Sequence, residues 1–182
     1  RSQSETGNGT PLSRSAAKAQ FSHFVLNTNY RFSPVENYEV SINSGGQYSF
    51  DDLLNSEQTS ITGFNKLSGF TSGSISGDEA WYVRGQINRN FMASNQIKLS
   101  PYVYVAAGVA YTLTPTAVEN RSTAAKSIGL GLQVQGFDKY FFDKSISGRV
   151  EYSKNWGTGK LEDLSDVRLN KQHLLVSLAM SF

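Results

Sequence analysis

Two histidines, His23 and His173, are the side chains best suited to catalysis or metal binding. Neither stands in an HxxxH or HExxH pattern, so no local spacing brings two imidazoles onto one ion. His173 precedes Ser177 by four residues, which on a strand leaves both on one face but ~13 Å apart, too far for a Ser–His couple. Cysteine is absent, which removes disulfides and thiolate metal sites. The run GFTSGSISG at 69–77 lacks the Lys-Ser/Thr of a phosphate loop and leads into no helical pattern. Its glycines suit tight turns and close backbone packing. No catalytic, cofactor-binding or metal site is expected. What remains is charge set singly among apolar neighbours: Arg31, Glu39, Arg84, Arg149 and Glu151, with Asp78 and Glu79 opening a strand.

These charges sit in segments that alternate with period 2, the signature of a strand whose two faces differ. Phe24, Leu26, Thr28, Tyr30 and Phe32 share one face, with Val25, Asn27, Asn29 and Arg31 on the other. After a turn at Pro34, Tyr38, Val40 and Ile42 oppose Glu39, Ser41 and Asn43. Trp81, Val83 and Ile87 oppose Tyr82, Arg84, Gln86 and Asn88. Further segments run through 101–113, 127–135, 146–153 and 174–182, making seven in all. Between the second and third lies a loop over about 50–79, rich in Gly, Ser and Thr and without either period. A loop of that length in a compact domain is usually functional.

A soluble β-sandwich would also alternate, but three features point to a membrane barrel. The polar face carries Gly, Ser, Gln and Asn with few Lys or Glu, as a lumen does. Aromatics (Tyr30, Phe32, Tyr38, Trp81, Phe91, Tyr111, Tyr152, Trp156) gather near segment ends, as interfacial girdles do. The alternation also runs into the final residue, Phe182, in register with the apolar face. The longest apolar run, Tyr102 to Tyr111, is about half of what a membrane helix needs, whereas a spanning strand needs only ~9–11 residues. A net charge of +2 without a basic cluster gives no reason to expect nucleic acid. The fold class expected is therefore all-β, an antiparallel transmembrane barrel. Residues 1–20 are polar and turn-rich, expected as an extracellular loop or disordered end, with the barrel portion over 21–182. Seven strands leave an unpaired edge, which hydrocarbon does not tolerate, so the remainder of a larger barrel is expected upstream.

The runs SEQTSITGFNKLSGFTSGSISGDEAWYVRGQ, LSPYVYVAAGVAY, AAKSIGLGLQVQG, ISGRVEYSKNW and the terminal VSLAMSF resemble the two-partner secretion transporters. These are the haemolysin-activator (FhaC/ShlB-type) branch of the Omp85 superfamily. The resemblance implies POTRA domains upstream and a barrel of about sixteen strands, of which these are the last seven, with the long loop turned into the lumen. It also implies an outer-membrane location in a Gram-negative bacterium and a C-terminal Phe182 read by the barrel-assembly machinery. With Phe182 at the periplasmic rim, connections 33–37, 92–100 and 137–144 become periplasmic, and 50–79, 114–123 and 157–171 extracellular.

Two positions depart from the family pattern. The loop-tip motif Val/Leu-Arg-Gly-Phe/Tyr falls on Leu67, Ser68, Gly69 and Phe70, so Ser replaces Arg. The facing motif PYxFxDxG falls on the strand with Tyr104, Ala106 and Gly108, so Ala replaces Asp. Losing both halves of a charge pair together avoids a buried unpaired charge. The loop is then expected to be held by neutral hydrogen bonds and by Phe70 packing, with Lys66 as a substitute cation. The function expected is translocation of an unfolded exoprotein across the outer membrane, without enzyme activity or cofactor. The partners expected are that secreted exoprotein, outer-membrane lipid and the assembly machinery. The alternatives are an Omp85-type assembly factor, or a small structural barrel closed by an eighth strand within 1–20.

Overall fold

The computed structural model describes residue 17 and residues 20–94, 96–115, 119–138, 144–161, 166–168 and 171–181. Within them the chain is all-β. The strands are β1 (His23–Phe32), β2 (Tyr38–Ser49), β3 (Thr59–Ser60), β4 (Ser76–Gly77), β5 (Glu79–Arg89) and β6 (Phe91–Ser94). They continue as β7 (Ile97–Tyr111), β8 (Asn120–Asp138), β9 (Lys144–Leu161), β10 (Asp166–Arg168) and β11 (Lys171–Ser181).

One antiparallel meander runs β1-β2-β5-β7-β8-β9-β10, with β6 also on β7 and β11 also on β9. β5 and β6 act as one strand interrupted at Asn90, whose amide donates to Asn37 O at 2.7 Å and whose side chain accepts from Ser100 Oγ. β10 and β11 are likewise two stretches along β9, so the seven expected strands correspond to seven paths through the sheet. Among the described residues the sheet is open, β1 at one edge and β10–β11 at the other. It is the antiparallel sheet of a barrel fragment.

Most of the expected connections are partly strand, all but 33–37. β6 and β7 occupy most of 92–100, and β9 runs on to Leu161 and pairs with β10, Asp166 opposite Lys160. Outside an apolar band the sequence loses its apolar–polar contrast, while the inward–outward alternation and the backbone ladder continue. Residues 1–16 and 18–19, expected as a loop or disordered end, and the assembly signal Phe182 lie outside the described residues.

The two faces differ as the alternation requires. One exposes Phe24, Leu26, Val83, Ile87, Val103, Val105, Leu130 and Val176. The other buries Ser41, Arg84, Gln86, Asn88, Ser127, Arg149, Glu151 and Asn155. An exposed apolar face over a buried polar one inverts a soluble sheet and matches a wall between lipid and lumen.

The long loop supplies the apolar cover for the polar face. Its small β3–β4 hairpin places Ile61, Leu67, Phe70 and Ile75 in one buried cluster with Ala80, Tyr102, Tyr104 and Ala106 of the sheet. Backbone bonds brace it: Ile61 N to Ile75 O, Leu67 N to Ile61 O and Phe70 N to Leu67 O, all 3.0–3.2 Å. At its base the fully buried Asp78 accepts from Leu53 N (3.1 Å), Gln58 Nε2 (3.2 Å) and Leu113 N (2.9 Å). That carboxylate ties the start of β5 to the loop's first turn and to the end of β7.

Candidate functional site: the clamp on the loop tip

Tyr102 and Tyr104 alternate with outward Val103 and Val105 on β7, so both rings lie on the inner face. They lie over Gly131 and Gly129 of β8, where a Cβ would overlap the rings. Those glycines let two large aromatics lie flat, leaving space above for longer side chains. Arg84 on β5 enters that space, its guanidinium 3.6 Å above the Tyr104 ring. Ala106 stands directly opposite Arg84 in the register, and a methyl there leaves the guanidinium room to turn along the sheet.

Arg84 is 0% and Glu151 1% exposed, and their ion pair measures 3.2 Å. The acid also accepts Tyr102 OH at 2.6 Å. Ser68 at the loop tip closes the group: its hydroxyl donates to Glu151 Oε1 and accepts from Arg84 Nη1 at 2.5 Å. Arg84 Nη1 donates further to Lys66 O at 3.2 Å, and Gln86 takes the remaining guanidinium face at 2.8 and 3.3 Å. A buried charge pair needs its spare donors and acceptors satisfied, and here side chains of three strands and the loop do so.

Two more attachments flank this centre. Asn155 Nδ2 donates to Gly69 O at 2.6 Å, while its oxygen accepts from Ser127 Oγ at 2.7 Å. A Cβ at residue 69 would overlap the Asn155 amide, so glycine is needed for this approach. Arg149 lies 4.0 Å over the Phe64 ring and donates to Phe64 O at 3.4 Å. Gly108 forms the floor under Leu67 and Ile61.

The hold on the loop differs from the expected neutral lock. It is built around a buried ion pair, and both charges belong to the wall. Lys66 does not take the place of an arginine: Nζ donates to Ser60 O at 2.6 Å and lies 5.0 Å over the Tyr82 ring. Burial lowers its pKa from the ordinary lysine value. Phe70 packs in the apolar cluster, as expected. Sequence reading placed Arg84 and Glu151 on one face but missed their contact, because 67 residues and two intervening strands, β7 and β8, separate them from any common local spacing.

Of the five lumen charges, Arg84, Arg149 and Glu151 meet the loop. Arg31 and Glu39 line a polar recess of about 280 Å³ that adjoins the loop, since Phe64, Asn65, Gln86 and Arg149 line it too. Glu39 accepts from Asn88 Nδ2 at 3.2 Å. His23 stacks on Phe21 with ring centroids 5.5 Å apart, and His173 lies on β11 opposite Ser153. Among the described residues no cluster of His, Asp or Glu is arranged to hold a metal ion.

A family model described as haemolysin secretion/activation protein ShlB/FhaC/HecB matches residues 2–133, more than half of the chain. No curated protein and no solved structure matches it.

Proposed function

Because the chain belongs to the haemolysin secretion/activation family ShlB/FhaC/HecB, whose members are two-partner secretion transporters of Gram-negative outer membranes, we propose that it forms wall and plug of such a pore. The seven strand paths are part of the wall, in the outer membrane, and the loop between β2 and β5 is the plug. An unfolded exoprotein passes along the polar inner face once the loop leaves it.

The observation that carries this reading is the ownership of the clamp charges. Arg84 and Glu151 both stay with the wall, while the loop contributes only a hydroxyl and backbone carbonyls. Loop departure therefore separates no buried ion pair. It breaks hydrogen bonds that water or an extended substrate backbone replaces, worth ~0.5–1.5 kcal/mol net each between neutral groups and ~1.5–3 kcal/mol to charged ones, and it uncovers the apolar cluster of Ile61, Leu67, Phe70 and Ile75. An inner face of Ser, Asn and Gln offers such exchange, its apolar part lying at Ala80, Tyr102, Tyr104 and Ala106 beneath the loop. No hydrolysis or cofactor enters this mechanism, since the substrate moves extended and folds outside.

A tether tests it. A Cβ at residue 69 would meet Asn155 Cγ, the position a cysteine sulfur takes, so Gly69→Cys with Asn155→Cys links the loop to the wall. In the full-length protein, the oxidised pair should lower secretion of the cognate exoprotein at least tenfold, and reductant should restore it. Undiminished secretion with the disulfide verified by mass would rule out a mobile plug. If loss of the protein instead depleted other outer-membrane barrels and spared the exoprotein, the chain would be an assembly factor.

A further inference from the structure

The outward face holds two cations that secretion does not explain. Lys126 on β8 and Lys154 on β9 are both exposed on that face, among Ile128, Leu130 and Tyr152. In the register Lys126 faces Trp156 and Ile128 faces Lys154, so the two lysines are diagonal neighbours. Such neighbours have backbones ~7–8 Å apart, which lets two flexible ammonium groups converge on one anion. Lys154 Nζ lies 5.4 Å over the Trp156 ring, and no acidic side chain pairs with either lysine among the described residues.

The apolar surface beside them is indented. Gly85 occupies an outward position between Val83 and Ile87, and a Cβ there would meet nothing within 4 Å. The missing side chain opens two grooves that share Ile42, Gly85 and Val105. One, of about 600 Å³, reaches Lys154; the other, of about 520 Å³, reaches Lys126. Each groove is thus apolar along its length and cationic at one end, and both cations lie toward the end that carries the long loop.

We propose that this face is a binding site for a phosphorylated, multiply acylated glycolipid of the outer leaflet. Its acyl chains lie in the two grooves and its phosphate lies on Lys126 and Lys154, beside the Trp156 ring. The chemistry is charge complementarity at the interface together with apolar burial, the combination by which membrane proteins select anionic headgroups. The inference rests on the outward face being the lipid face and the long-loop end being external. It does not need the plug to move.

The test uses the full-length protein in detergent and diphosphoryl lipid A as the probe, read by native mass spectrometry and by protection against thermal unfolding. Wild type should retain lipid A at least fivefold more than its dephosphorylated form. Lys126→Gln with Lys154→Gln should abolish that preference, and the double Lys→Arg variant should keep it. Gly85→Val fills the shared depression without a clash and should weaken lipid A binding while leaving inorganic phosphate without effect. Equal retention by wild type and the double Gln variant would overturn the proposal. Displacement of lipid A by millimolar inorganic phosphate, or unchanged binding in Gly85→Val, would overturn the grooves as acyl sites. Exoprotein secretion, measured in parallel, separates this outcome from failure of the transporter reading.

Discussion

Arg84 on β5 and Glu151 on β9 are joined by a 3.2 Å ion pair that passes over two intervening strands. Register places Arg84 level with Ala106 and Ser127, and Glu151 level with Gly131 and Tyr102. The side chains therefore cross the inner face obliquely, over residues small or flat enough to let them. Ser68 rests on the midpoint of that crossing and reads both charges at once.

Glu151→Gln leaves a fully buried guanidinium without its counter-charge. Removing one partner of such a pair costs about 3–5 kcal/mol. The folded barrel should lose heat resistance accordingly on gels that separate folded from unfolded protein. The double variant Arg84→Met with Glu151→Leu should be more stable than Glu151→Gln alone, since no buried charge is left over.

Ser68→Arg places a second cation against Arg84 in a site without room for two. The loop should lose its docking and become sensitive to protease between Gly63 and Gly73. Adding Arg84→Ser hands Glu151 to the loop's new cation and should restore at least half of the protection. A double-mutant cycle measures that coupling, and additive effects would contradict the shared acid.

Gly69→Ala pushes a Cβ into the Asn155 amide. Overpacking of this kind costs about 1–3 kcal/mol. Hydrogen exchange at the amides of residues 67–70 should accelerate, with that of β8 unchanged. Asn155→Ser should relieve the clash in the Gly69→Ala background.

Asp78→Ala strips three donors of their acceptor at the loop base. Each buried donor left unsatisfied costs about 1–3 kcal/mol. The expected result is a loop that opens from its base, detected as faster exchange at Leu53 and Leu113. Exchange confined to residues 67–70 would show that the base does not depend on this carboxylate.

Much of the sheet was legible because alternation is a local property. Phe24 to Phe32 names its own two faces, and Tyr102 and Tyr104 are assigned inward by their neighbours alone. Strand ends were less legible: β9 continues to Leu161 through Gly157, Thr158 and Gly159, where backbone pairing persists but hydrophobic contrast has gone. The loop was visible as an interruption, and its Ser68 and Ala106 as departures from a motif.

What replaced the missing charge pair was not legible. Residue types determined by themselves that Arg84 and Glu151 lie on the polar side of their strands, and that the 50–79 segment belongs to neither face pattern. The tertiary structure decided that the two charges meet, that both belong to the wall, and that the loop adds only neutral groups between them. The reason is geometric. Inward or outward direction follows from a period of two residues within one strand. An oblique contact across four strands follows from register and from the space left by Ala106, Gly129 and Gly131, which exists only once the sheet is assembled.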